Sequence, residues 1–205
     1  MALKDIKTMI TKFFHQLKIE CFALASLIIT SYPDTALGIY LRKKYWSKKF
    51  KIPNLRHIGK GAQINSRDRL VIGNNFILGN NAVIENVDSK GCFIGDFVGI
   101  ARGSYLKTAD HNLSDIDTPF MDQGHLAKSI SYKDTEYSVI IEDNVWIGAN
   151  CIILSGANIG QGAVISAGSV VSSEIPPYCI AVGNPARVVI NRKKTKEIIE
   201  EKKNG

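Results

Sequence analysis

Residues 141–176 read IEDNVW IGANCI ILSGAN IGQGAV ISAGSV VSSEIP. An aliphatic residue opens every block: Ile141, Ile147, Ile153, Ile159, Ile165 and Val171. Four positions later come Val145, Cys151, Ala157, Ala163, Ser169 and Ile175, residues that are small or β-branched. The same period runs earlier in the chain. Ile58 and Ile64 open it, a two-residue slip leads to Ile72, Leu78 and Ile84, and a four-residue slip leads to Ile94, Ile100 and Leu106, making fourteen hexads. A helix needs apolar residues at i, i+3, i+4 and i+7, and a half-buried strand needs alternation, so neither explains a period of six. Short strands joined by tight turns do. Three strands close one coil, the aliphatic residue points inward, and Gly and Asn tolerate the corner angles. Stacked coils then bury a continuous core that no single coil closes alone.

Composition agrees with this architecture. The 205 residues are 45% hydrophobic and 22% charged, which excludes wholesale disorder and the collagen-like and disulfide-scaffold classes. The longest nearly uncharged apolar run, Cys21–Thr30, falls short of the roughly 18–20 residues of a spanning helix. Cys21, Cys92, Cys151 and Cys179 are scattered, with no C-x-x-C and no histidine at ligand spacing. Reduced thiols in a cytoplasmic protein without a bound metal are therefore expected. Asp5 and Glu20 interrupt any signal-peptide pattern.

The formal charge of +7 is localised. Residues 1–51 carry 10 Lys/Arg against 3 Asp/Glu, whereas residues 52–205 are balanced at 16 of each. A nucleic-acid binder would carry its basic face on the folded body, so no nucleic-acid partner is expected. Three regions follow: a basic, amphipathic helical segment at 1–51, a repeat domain at 52–189 interrupted by a loop at 112–140, and a charged C-terminal helix at 190–205. Within the first, Leu3, Ile6, Met9, Ile10, Phe13, Phe14 and Leu17 are spaced as a short amphipathic helix, and a more apolar segment runs from Ile19 to Thr30 before Pro33. A loop as long as 112–140 inside a repeat is functional or disordered.

The hexads, the closing segment PPYCIAVGNPARVV (Pro176–Val189) and the stretch IGDFVGIARGSYLKTADH (Ile94–His111) resemble the hexapeptide-repeat acyltransferases, in the galactoside, maltose and polysaccharide O-acetyltransferase branch. The resemblance implies an all-β fold, a left-handed parallel β-helix flanked by a short N-terminal helical segment and a C-terminal helix. It implies a homotrimer with active sites between subunits, acetyl-CoA as co-substrate, no metal, and a sugar or glycan acceptor. The hand is not given by the six-residue period itself.

Of the four histidines, His15 lies on the N-terminal helix, His57 precedes the first coil, and His125 lies in the loop. His111 closes the last hexad before that loop, where functional residues collect on a rigid scaffold. The branch's catalytic histidine matches His111. A sugar hydroxyl must lose its proton as it attacks the thioester, and a neutral imidazole accepts it. Asp110 is not expected to orient the ring, because strand neighbours point to opposite faces. A loop acid and a backbone carbonyl both stay open for that role, and a backbone N–H is expected to stabilise the oxyanion.

The resemblance places the pantetheine arm along Ala149 and Ala167, one coil apart, with Trp146 flanking the groove. It places the coenzyme phosphates near Arg187 and near Ser172 and Ser173, although the lysine that often follows such a hydroxyl is absent. Acceptor contacts fall at Asn81 and near Asp88, and the residue aligned with the branch's aspartate is Ser89. That departure points to a sugar other than a free galactoside.

A γ-type carbonic anhydrase would need a histidine five residues after His111, where Ile116 stands. An N-acetyltransferase of an amino sugar and a non-catalytic β-helix scaffold stay open as alternatives, while serine acetyltransferases usually carry a longer helical front end. The segment LGIYLRKKYWSKKF resembles the front ends of O-antigen and capsule acetyltransferases. Six basic residues between Arg42 and Lys51, each contributing on the order of 1 kcal/mol near an anionic leaflet, would support peripheral contact with the inner membrane. A helical cap over the open coil is the other expected role of this segment.

Overall fold

The computed structural model describes residues 3–204; within that range the side chains of residues 3–11, among them Leu3, Ile6, Met9 and Ile10 of the expected amphipathic face, and of residues 19, 22, 198, 199 and 201–204 lie outside those described. Each coil contributes one strand to each of three parallel stacks. The first face stacks Leu55–Ile58, Phe76–Leu78, Gly99–Ile100, Trp146–Ile147, Val164–Ile165 and Cys179–Val182. The second stacks Gln63–Ser66, Val83–Asn86, Tyr105–Lys107, Ile152–Ile153 and Val170–Val171. The third stacks Leu70–Ile72, Cys92–Ile94, Val139–Ile141, Asn158–Ile159 and Glu174–Ile175.

All fourteen aliphatic residues that open the hexads point inward, none more than 8% exposed. Each contributes roughly 1.5–3 kcal/mol by leaving water. Backbone hydrogen bonds run from coil to coil, such as Val83 N–H to the Ser104 carbonyl and Ile140 N–H to the Ala157 carbonyl, both at 2.9 Å. The corners turn three residues after the aliphatic, where Asn75, Asn81, Asn144 and Asn150 take positive φ. Short amide side chains tolerate that left-handed conformation.

Both slips in the hexad register, and the long interruption, fall at one corner, between the second and third faces. The first coil turns there through residues 67–69, the second through 87–91, and the third through the excursion at 112–138. Val139 and Ile140 are fully buried in a coil strand, so the repeat resumes two residues earlier than its aliphatic spacing implies. The excursion is ordered: Asp110–His111 pairs antiparallel with His125–Leu126, and Ile130–Tyr132 forms a hairpin with Thr135–Tyr137.

The N-terminal segment differs from its sequence pattern. One continuous helix, α1 (Leu3–Ser31), replaces the two expected segments, because no helix breaker separates Leu17 from Thr30. Lys12–Ser31 is long and apolar enough by length and composition to cross a membrane, and none of its described residues is buried against the protein. The uncharged run Cys21–Thr30 is shorter than this span because Lys12, Lys18 and Glu20 fall within the helix. Helix α2 (Ala36–Phe50) starts at Thr35, whose hydroxyl accepts from Gly38 N–H at 3.2 Å, and it ends at Lys51 in the left-handed region. Trp46, Ile52 and Leu55 join the core and close the end of the first coil. Arg42 is fully buried. Its Nε donates to the Ile58 carbonyl at 3.0 Å and its guanidinium pairs with Asp34, so five of the six basic residues, not six, are available to an outside surface. At the other end, Arg187–Asn191 returns antiparallel along Cys179–Val182, and helix α3 spans Arg192–Asn204.

Candidate functional site

The second face is a wall with a concave region along each edge. At its junction with the third face lies a cleft of about 230 Å³, lined by Lys107, Ala109, Asp110, His111, Leu126, Lys128, Leu154, Ser155 and Ser172. His111 reaches it from the short strand that leaves the coil, with its imidazole exposed. The ring is held by aromatic neighbours. Phe120 meets it edge-on at 5.3 Å and 82°, and His125 stacks on it at 4.9 Å and 29°. His125 Nδ1 lies 3.1 Å from Asp88 Oδ2.

Asp110 does not orient the imidazole. Its Oδ1 accepts the His111 backbone N–H at 2.9 Å and the Lys107 ammonium at 3.1 Å, and these hold the carboxyl below its usual range. Lys128 extends along the cleft with Nζ 3.4 Å from the Ser172 carbonyl. A cation from the excursion thus reaches the serine that lacks a following lysine, which sequence proximity to Ser172 does not reveal.

The other edge, where the first face meets the second, carries a groove of about 530 Å³ running up the coils. Ile77, Gly99, Trp146 and Val164 are consecutive rungs of one column in the first face. The Trp146 ring lies over Gly99, where an added Cβ would stand 2.7 Å from it, so the missing side chain makes room for the indole. The ring is half-exposed and forms one side of the groove, and Ala149 and Ala167 form the adjoining corner. Gly168 N–H donates to the Ala149 carbonyl at 2.9 Å, which stacks the two alanine turns. The groove's apolar, small-residue lining fits a thin extended arm, and Arg102 adds a cation to its rim.

The residues singled out by sequence therefore divide between the two edges. Trp146, Ala149 and Ala167 share the groove, and Asn81 sits lower on that same corner at φ +56°, next to Gly61. Arg187 is exposed opposite Val182 on the returning strand, and its Nη1 donates to the Ala186 carbonyl at 3.2 Å. His111 and Ser172 line the cleft, Ser173 is exposed beside it, and Asp88 faces the cleft's histidine pair. Within one chain, the cleft does not meet the groove. Among the described residues, no three of His, Cys, Asp and Glu converge as a metal set.

A family profile described as "Hexapeptide repeat of succinyl-transferase" matches residues 138–173. A probable acetyltransferase of Mycobacterium tuberculosis is 36% identical over 138 residues, covering 66% of this chain and 42% of that protein. The chain thus spans less than half of that relative. The crystal structure of a maltose O-acetyltransferase from Clostridium difficile superposes with a TM-score of 0.55 at 27% identity, covering 85% of this chain and 87% of that one. AntD, an N-acyltransferase from Bacillus cereus solved with dTDP and 3-hydroxybutyryl-CoA, shares the fold with a TM-score of 0.53 at 19% identity, covering 80% and 95%. In its hexad register and its three stacked faces the chain is thus similar to hexapeptide-repeat acyltransferases.

Proposed function

We propose that this chain is an acetyl-CoA-dependent O-acetyltransferase that modifies a hydroxyl of a sugar or bacterial surface glycan by direct transfer. The observation that carries the reading is the pairing of an imidazole in a polar cleft with a small-residue groove on the other edge of the same wall. The maltose O-acetyltransferase likeness over most of both chains supports the sugar hydroxyl.

In this reading the coil is left-handed, as in the family, and the protein is a cytoplasmic homotrimer. His111 of one subunit faces the groove of the next, which accounts for two half-sites at separate edges. Trp146, Ala149 and Ala167 hold the pantetheine arm. Arg187, Ser172 and Ser173 approach the phosphates, and Asn81 contacts the acceptor from the groove corner. The His111 imidazole removes the hydroxyl proton as the sugar oxygen attacks the thioester carbonyl. The carbon–sulfur bond then breaks, and the imidazolium returns the proton to the departing thiolate, so acetyl ester and free coenzyme A leave. Acceptors at the inner membrane are reached by peripheral docking of the N-terminal helices.

Thiol release from acetyl-CoA, measured over a panel of sugars, amino sugars and lipid-linked glycans, tests the reading. His111→Ala should lower kcat by about 100-fold or more while coenzyme A still binds. Equal turnover by the variant removes His111 as base. Turnover confined to amino sugars replaces O-transfer by N-transfer, and absence of both turnover and coenzyme binding favours a scaffold.

A further inference from the structure

We infer that His125, anchored by Asp88, is the positioning residue for His111. The inference rests on the reading of His111 as the base, and it gives Asp88 a role other than acceptor contact. Among the described residues, no side-chain hydrogen bond orients the His111 ring; its two aromatic neighbours do. Both come from the excursion. Phe120 stands in a single 3₁₀ turn, and His125 is the residue directly opposite His111 in the antiparallel rung. The rung is extended by Asn112 N–H donating to the Gly124 carbonyl at 2.9 Å. A cross-strand pair places two side chains on the same side of the ribbon and close together. The excursion therefore ends where it does because returning one strand beside Asp110–His111 brings a second imidazole onto the first.

Asp88 arrives by a different route. It lies in the corner loop of the second coil, at φ +54°, in the four-residue slip of the hexad register. That loop and the excursion leave the β-helix at the same corner, so the loop of one coil lies beside the excursion of the next. The carboxylate then takes His125 Nδ1 at 3.1 Å and fixes which ring nitrogen faces it. Both partners are substantially exposed, 41% and 54%, so the pair adds little to fold stability. Its consequence is directional: two coils and one excursion converge to hold one face of the His111 ring while Phe120 holds its edge. General-base catalysis depends on such placement, since a misplacement of about 1 Å costs on the order of 100-fold.

The test compares His125→Ala, His125→Phe, Asp88→Ala and the His125→Ala/Asp88→Ala double variant with wild type, on the acceptor found to be turned over. Expected is a kcat lower by roughly 10- to 100-fold for His125→Ala, with KM for acetyl-CoA unchanged because Trp146, Ala149 and Ala167, which line the groove, are left intact. His125→Phe should recover most of that loss by restoring a stacked ring. The double variant should be no worse than His125→Ala, since the anchor acts only through the ring. Wild-type kcat in His125→Ala, or a KM effect in place of a kcat effect, overturns the inference. The His111 ring-proton resonances supply an arm that needs no turnover: both His125→Ala and Asp88→Ala should move them by removing or tilting the stacked ring. Unmoved resonances overturn the positioning role, even where His111→Ala proves His111 to be the base. If His111→Ala instead keeps full activity, the catalytic reading fails while the resonances still report whether His125 holds the ring.

Discussion

Tyr105 stands on the second face two residues before the chain turns toward the cleft, and its hydroxyl donates to Glu85 of the coil below. Burial, and then the hydrogen bond and charge of Glu85, push this phenol up to about 12 from its ordinary 10.0. A group whose pKa is higher in the folded state stabilises the fold fully below its unfolded value and loses that contribution as pH rises through the folded value. Between about pH 10 and pH 12 the Tm of the wild type should therefore fall toward that of Tyr105→Phe, while below pH 10 the difference between them should be constant. Thermal melts of both proteins across that window check it, and a difference that stays constant to pH 12 removes the Glu85 contact as a stabilising interaction. At this scale the sequence was readable where a residue obeyed the hexad register, as Trp146, Ala149 and Ala167 do. It was silent where a contact joined different coils through loops, as with Asp88 and His125. In the sequence Asp88 stands out only through its proximity to the position matching the branch's acceptor aspartate. The useful signal was the four-residue slip that carries it, because slips at one corner stack on one another.

Among the elements, α2 is tied to the coils by one buried cation beside the packing of Trp46. Arg42 donates to the Tyr32 and Ile58 carbonyls and pairs with Asp34, whose other oxygen takes Asn80 Nδ2 at 2.7 Å. Gly38 lets α2 pass the turn, since a Cβ there would stand 2.1 Å from the Pro33 carbonyl. Arg42→Ala leaves the Tyr32 and Ile58 carbonyls without their partner and takes one partner from Asp34, and should destabilise by about 1–3 kcal/mol. Local opening of α2, seen as hydrogen exchange in Ala36–Phe50 and in the Leu55–Ile58 strand, should precede global unfolding. Exchange confined to α1 would show that Arg42 does not secure the cap. Helix α2 was legible as a basic segment, but its one buried charge was not, because composition does not separate a lysine facing water from an arginine spanning an interface. The change from an amphipathic to a more apolar pattern near Leu17 does not end α1, because Lys18 and Glu20 interrupt no backbone hydrogen bond.

For the molecule as a whole, charge and apolar surface coincide at one end. Helix α1 exposes Phe13, Phe14, Leu17, Leu24, Leu27 and Ile28, and α2 adds Tyr40 beside Lys43 and Lys44. With five available basic residues from α2 and Lys51, each contributing on the order of 1 kcal/mol at an anionic leaflet, the intact protein should float with anionic vesicles and be released by salt. Cys21, the exposed cysteine of α1, should lose its reactivity toward maleimide on those vesicles, while Cys92, Cys151 and Cys179, buried in the coils, stay unreactive throughout. No flotation, with Cys21 labelled at an unchanged rate, sinks the membrane contact.

The concentration of every irregularity at one corner has a consequence for how such a protein diversifies. The three faces need a strict register, since a single inserted residue there turns aliphatic side chains out of the core. The corner between the second and third faces carries no such demand. Lengthening it from the four extra residues of the second coil to the roughly thirty of the third costs only chain-closure entropy, about 2 kcal/mol over three doublings. New loops are thus cheap to acquire beside the imidazole and expensive everywhere else. The surface around the imidazole is free to change at that corner while the groove on the opposite edge, built from the register itself, stays constant.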